Sequence, residues 1–135
     1  MQLADSLDRV MRTELIFGSI FYQHFFSAVP EASRYFEGLD MHRQALLVTM
    51  ALTVIQQHHD HHYPVTRDYL HYLGSKHHDR KIPIELYIVW RRVMLGTLAV
   101  FHGSDWVPEL ESEWGTAIDD AIDAMMKGYS SHISV

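Results

Sequence analysis

Leu70, Leu73 and His77 are separated by three and four residues, so on a helix all three side chains point the same way. A histidine on such an apolar stripe is either a satisfied core residue or a metal ligand. A zinc site wants three or four convergent protein ligands, whereas a haem iron, already held by four porphyrin nitrogens, needs only one strong ligand from the protein. The chain is rich in aromatics and methionine, as a flat apolar cofactor slot requires. A second concentration of imidazoles, His58-His59-Asp60-His61-His62, has the chemistry to hold zinc, copper or nickel. Its ligand spacing on one helical face is met only in part, by His58 with His61 or His62, and a solvated corner is the plain alternative. A carboxylate-bridged di-iron bundle would need Glu-x-x-His pairs, and the sequence contains none. Cysteine is absent, which removes disulfides, thiolate metal sites and cysteine nucleophiles.

The elements that must position these residues are helices. Four prolines, Pro30, Pro64, Pro83 and Pro108, punctuate long segments of helical periodicity, each at a place where a helix can begin. Helices are expected over roughly 5–28, from Pro30 to near Phe36, over roughly 40–57, from Pro64 through His77, over roughly 83–101, and from Pro108 onward. On the third of these Met41, Gln44, Val48, Leu52 and Ile55 share a face; the last carries Leu110, Trp114, Ile118, Ile122 and Tyr129. Gly103 is a helix stop, and the two final helices, joined by a short turn, are expected to lie antiparallel. No strand-like alternation, repeat or linker interrupts the 135 residues, which read as one all-α domain spanning 1–135. A net charge of −6 argues against nucleic acid or an anionic membrane as partner. No apolar run approaches the length of a membrane span and the first residues lack a secretory pattern, so a cytoplasmic protein is expected.

Several of these motifs together resemble the bacterial single-domain globins, the globin domains of flavohaemoglobins and the sensor globins. Leu70-x-x-Leu73-Gly74-x-x-His77 followed by Ile82 and Tyr87 is similar to their proximal segment. Phe21-Tyr22-x-x-Phe25-Phe26-x-x-x-Pro30-Glu31 followed by Phe36 resembles their second helix and the corner after it. Met41-x-x-Gln44 with Val48 resembles the start of the distal helix, and Met125-Met126-x-Gly128-Tyr129 the end of the last one. The likeness is collinear from about Ser6 to Tyr129.

The resemblance implies a globin fold with no or very short D helix and a pocket for haem b between distal and proximal helices. It implies His77 as the iron ligand, with Phe36, Gln44, Val48, Tyr22, Leu73, Ile82 and Tyr87 also against the cofactor. Phe36 would wedge against the porphyrin, Tyr22 would donate to a bound gas, and Tyr87 would support the proximal histidine. Gln44 with Val48 is the preferred distal pair; a shift of two residues would give His42 and Leu46 those roles. His78, about 100° further round its helix than His77, is expected on the solvated or propionate side. Three departures stand out. No carboxylate aligns with the last-helix glutamate of flavohaemoglobins, where Tyr129 stands, Lys81 occupies a position where glycine is common, and the first helix is about two turns short.

The resemblance implies a diatomic gas ligand: oxygen, nitric oxide or carbon monoxide. The first reading is reversible oxygen binding, with nitric oxide dioxygenase activity if an external reductase supplies electrons. The alternative is a haem-based gas sensor that signals to an output domain or partner, with the last two helices as a candidate homodimer face. A haem-free interaction module is the third reading, against which His77 stands. No residue is assigned as catalytic.

Overall fold

The computed structural model describes residues 1–133. Its helices are α1 (Leu3–Met11), α2 (Glu14–Ala28), α3 (Met41–His61), α4 (Pro64–Asp79), α5 (Glu85–His102) and α6 (Pro108–Ile133), with 3₁₀ segments at Pro30–Phe36 and Gly103–Asp105. Among the described residues there is no strand, and no helix lies between Phe36 and Met41. This is the expected all-α arrangement, with no helix in the place of a D helix. Pro64 and Pro108 open their helices and Pro30 opens the 3₁₀ segment, where a missing amide costs nothing. Pro83 stands just ahead of α5, its carbonyl accepting from the Leu86 amide at 3.1 Å. Gly103, at φ 58°, ends α5. No helix among the described residues is long and apolar enough to cross a membrane.

Three expectations need correction. The first helix is broken: Thr13, at φ −131° and ψ 39°, is not helical. A β-branched residue with a hydroxyl is a fair helix start and a poor helix interior. The break lets α1 turn and bury Leu3, Leu7 and Val10. The third helix runs four residues past 57, because no proline or glycine stops it before Pro64. His58, His59 and His61 therefore sit on the last turns of α3, and His58 is buried rather than solvated. His78 is solvated only in part: it is half-buried, with its ring 4.8 Å from that of Tyr129 on α6.

The core lies where α2, α3, α5 and α6 meet, with Phe17, Phe21, Leu52, Met94, Leu98, Trp114 and Ile118 fully enclosed. Each such side chain stabilises the fold by roughly 1.5–3 kcal/mol relative to exposure. Two close approaches fix the geometry around it. A methyl group at Gly74 of α4 would strike the Met125 carbonyl of α6, and one at Gly128 of α6 would strike the His71 carbonyl of α4. The two glycines thus let α4 and α6 cross backbone to backbone, with His77 less than one turn beyond the crossing.

Lys81, at the turn between α4 and α5, has φ 58°. A side chain in this left-handed region costs roughly 1–2 kcal/mol, and glycine avoids most of it. Lys81→Gly should therefore raise stability by about 1 kcal/mol after the entropy that glycine forfeits, measured as a shift of the urea midpoint at constant slope.

Candidate functional site

The helices leave a cavity of about 810 Å³ between α3 and α4, closed behind by α5 and α6. All eight residues singled out from the sequence line it: Tyr22, Phe36, Gln44, Val48, Leu73, His77, Ile82 and Tyr87. His42 and Leu46 do not. His42 is exposed, its amide donating to the Asp40 side chain at 3.0 Å as part of the α3 cap, and Leu46 is exposed as well.

On the α4 wall, Leu70, Leu73 and His77 face the cavity together, as their spacing requires. His77 Nδ1 lies 2.6 Å from the Tyr87 hydroxyl, and the two rings are perpendicular at 5.5 Å. In the tautomer whose Nδ1 donates to Tyr87, Nε2 keeps its lone pair free. Burial, with a smaller contribution from the Arg80 charge, pushes His77 down to about 4. It is neutral near pH 7, the state in which imidazole can ligate a metal. Burial pushes Tyr87 up, with Tyr129 adding to the shift, so its hydroxyl stays protonated. Tyr129 donates to the Ile82 carbonyl at 3.2 Å and braces the turn that carries Ile82.

The opposite wall is built on α2 and α3. Tyr22 packs edge-on against Phe21 and Phe36, at 5.2 and 5.3 Å, and lies 5.7 Å from Phe26. This aromatic cluster holds the phenol ring in one orientation. Burial pushes Tyr22 up to about 12, so it can only donate or accept as a neutral hydroxyl. Gln44 adds an amide one turn before the apolar Val48, which is buried. Leu52, one turn further, is fully buried in the core and is not part of the wall.

Sequence reasoning missed the cations of the site. Lys76 and Arg80 line the cavity, and both are exposed, so they stand at its mouth. Arg80 also donates to the Tyr35 carbonyl at 2.7 Å, tying α4 to the 3₁₀ segment. Their signal was present, since 73, 76, 77 and 80 fall on one helical face. The rear wall of Leu86, Trp90, Ile118, Ala121 and Ile122 was missed too. The arrangement is an apolar slot with one neutral imidazole on one wall, two polar hydrogen-bonding groups on the other, and two cations at the opening.

The imidazoles at the end of α3 do not form a second site of this kind. The His58 and His62 rings are 5.4 Å apart and His59 lies 3.2 Å from Asp120. Among the described residues no group of three or more histidines and carboxylates is placed to hold a metal ion.

A family model described as Globin matches residues 19–125 of the chain. No curated protein matches it.

Proposed function

The chain belongs to the globin family, and on that premise we propose that it holds haem b in the 810 Å³ cavity and binds oxygen reversibly, with His77 as the protein ligand to iron. The observation that carries this reading is the pairing of walls. A neutral imidazole braced by Tyr87 faces a wall bearing Tyr22 and Gln44 across an apolar slot.

The residues present suit the cofactor. The lining is mostly apolar and aromatic, as a porphyrin face requires. Lys76 and Arg80 at the mouth complement the two propionates. Phe36 and Leu73 offer flat and branched apolar surface on opposite sides of the slot.

Ferrous haem, when bound, supplies reversible coordination of diatomic gases. The chain decides what that coordination is worth. Tyr87 holds the orientation of the ring, and in the iron-binding tautomer, with the proton on Nδ1, it accepts from His77. Because that acceptor is a neutral phenol and not a carboxylate, it makes His77 a less electron-donating ligand. This favours holding oxygen over activating it, and so supports reversible binding ahead of nitric oxide dioxygenation, which would in addition need an external reductase. Tyr22 and Gln44 offer hydrogen-bond donors on the far wall, and Val48 and Ala51 keep the space beside them apolar.

The reading is tested by titrating cofactor-free protein with haemin. Trp90 lines the cavity, so its fluorescence should be quenched to an end point of one haem per chain. At a free haem concentration about a thousandfold above the dissociation constant, stability should rise by roughly 4 kcal/mol. Unsaturable quenching, or equal melting with and without haemin, would refute a built cofactor site.

A further inference from the structure

Away from the cavity, α1 is fastened to the rest of the molecule by a buried polar network. Ser6 Oγ lies 2.6 Å from His102 Nε2 at the end of α5 and accepts from Trp114 Nε1 of α6 at 2.9 Å. Ser6 and Trp114 are fully buried and His102 is 5% exposed. The His102 ring stacks on Trp106 at 5.8 Å. Its Nδ1 is buried and meets no hydrogen-bond partner among the described residues. Neutral His102 pairs with Ser6 in either tautomer, Nε2–H donating to the hydroxyl or the hydroxyl donating to a bare Nε2, and each form leaves one donor of the pair unmatched. A second proton puts an N–H on both nitrogens, the one on Nδ1 where no acceptor faces it, and a buried donor of that kind is costly.

Two further features make α1 a movable unit. The chain is non-helical at Thr13 directly behind it. Met11, the last residue of α1, lines the cavity and takes a weak hydrogen bond from Thr53 of α3 at 3.9 Å. Displacing α1 therefore displaces part of the cavity wall.

We propose that Ser6, His102 and Trp114 form an acid-released latch that docks α1, and that its release withdraws Met11 from the cavity wall. The charges that act on His102 are the Arg9 guanidinium of α1, which repels a proton, and the Asp105 carboxylate, which attracts one. Burial is the largest influence and, with Arg9, holds His102 below its ordinary value. Arg9 and Asp105 are themselves paired at 2.7 Å on the exposed side, and Glu113 of α6 accepts from the Leu3 amide at 2.7 Å. The sign follows from linkage. With α1 undocked, His102 titrates near its ordinary 6.5 and binds more protons than when docked. The docked state is fully stabilised above that value and weakens as pH falls below it, until His102 titrates in place. Ser6, His102 and Trp114 themselves lie outside the cavity lining.

The test compares the protein as purified with His102→Gln, which keeps a side-chain N–H for Ser6 and cannot titrate. Hydrogen exchange of the Leu7–Met11 amides, corrected for intrinsic rate, is read at about pH 7.5 and about pH 5.5. The opening population of α1 should rise by up to roughly tenfold in the wild type and stay level in His102→Gln. An equal rise in both, or none in either, overturns the latch. Should His102→Gln fail to fold, an NMR titration of the wild type decides instead. The His102 ring, the α1 amides and the Met11 methyl signal must then share one midpoint. A His102 ring that titrates while α1 and Met11 stay unchanged overturns the proposal.

Discussion

His77→Ala protein should emerge from purification without stable haem, while His78→Ala should retain it. The two residues are adjacent in sequence but face different partners. His77 lines the cavity with its Nδ1 held 2.6 Å from Tyr87. His78 packs its ring on Tyr129 of α6. Removing His77 takes away the neutral imidazole on that wall, and with it the linkage stabilisation of roughly 4 kcal/mol that a thousandfold excess of haem would provide. The alanine variant should still fold, since His77 contributes little to the core and the Gly74–Met125 crossing is untouched. The readout is the Soret band per mole of chain, without added imidazole. A His77→Ala protein with a wild-type Soret band would show that another group holds the iron. Loss of haem in His78→Ala with a native circular dichroism spectrum would put the ligand one residue later.

The stripe that identified His77 was legible because helix period alone aligns 70, 73 and 77. Helix starts were legible for the same local reason, through proline at first-turn positions. What could not be read is what depends on pairs distant in the chain. Gly74 lies against Met125 and Gly128 against His71, and nothing in either local sequence announces the crossing. Ser6 and His102 are 96 residues apart. The break at Thr13 was hidden because apolar residues recur at helical spacing on both sides of it, and only tertiary packing of Leu3, Leu7 and Val10 reveals the turn. Lys76 and Arg80 were passed over because exposed cations on a helix read as a solvated face until a cavity mouth is seen beneath them.

Tyr22→Phe should speed oxygen release by roughly 10- to 150-fold and leave carbon monoxide release nearly unchanged. Oxygen bound in the cavity would carry partial negative charge, so the Tyr22 hydroxyl donating to it would contribute on the order of 1.5–3 kcal/mol. Carbon monoxide is nearly apolar and gains far less. Tyr22 is suited to the role because its ring is wedged among Phe21, Phe26 and Phe36 and its hydroxyl stays protonated, with burial pushing it up to about 12. The phenylalanine variant preserves those ring contacts and removes only the hydroxyl. Gln44→Leu should act in the same direction and less strongly. His42→Leu should do nothing, since His42 is exposed and off the wall. Stopped-flow displacement of oxygen by carbon monoxide measures all three. Unchanged oxygen release in Tyr22→Phe would make the tyrosine a packing residue, and a dominant effect of His42→Leu would move the distal role two residues back along α3.

The central claim, that this cavity holds haem ligated by one histidine and open to gas on the other side, is tested most directly by the absorption spectrum of the purified protein. It is recorded ferric, then ferrous, then ferrous under carbon monoxide. A Soret band in all three states, shifting and sharpening on addition of carbon monoxide to one gas molecule per haem, is what the His77 and Tyr22 walls predict. A protein that shows no Soret band after haemin is supplied, or a ferrous spectrum that carbon monoxide does not alter, would contradict it.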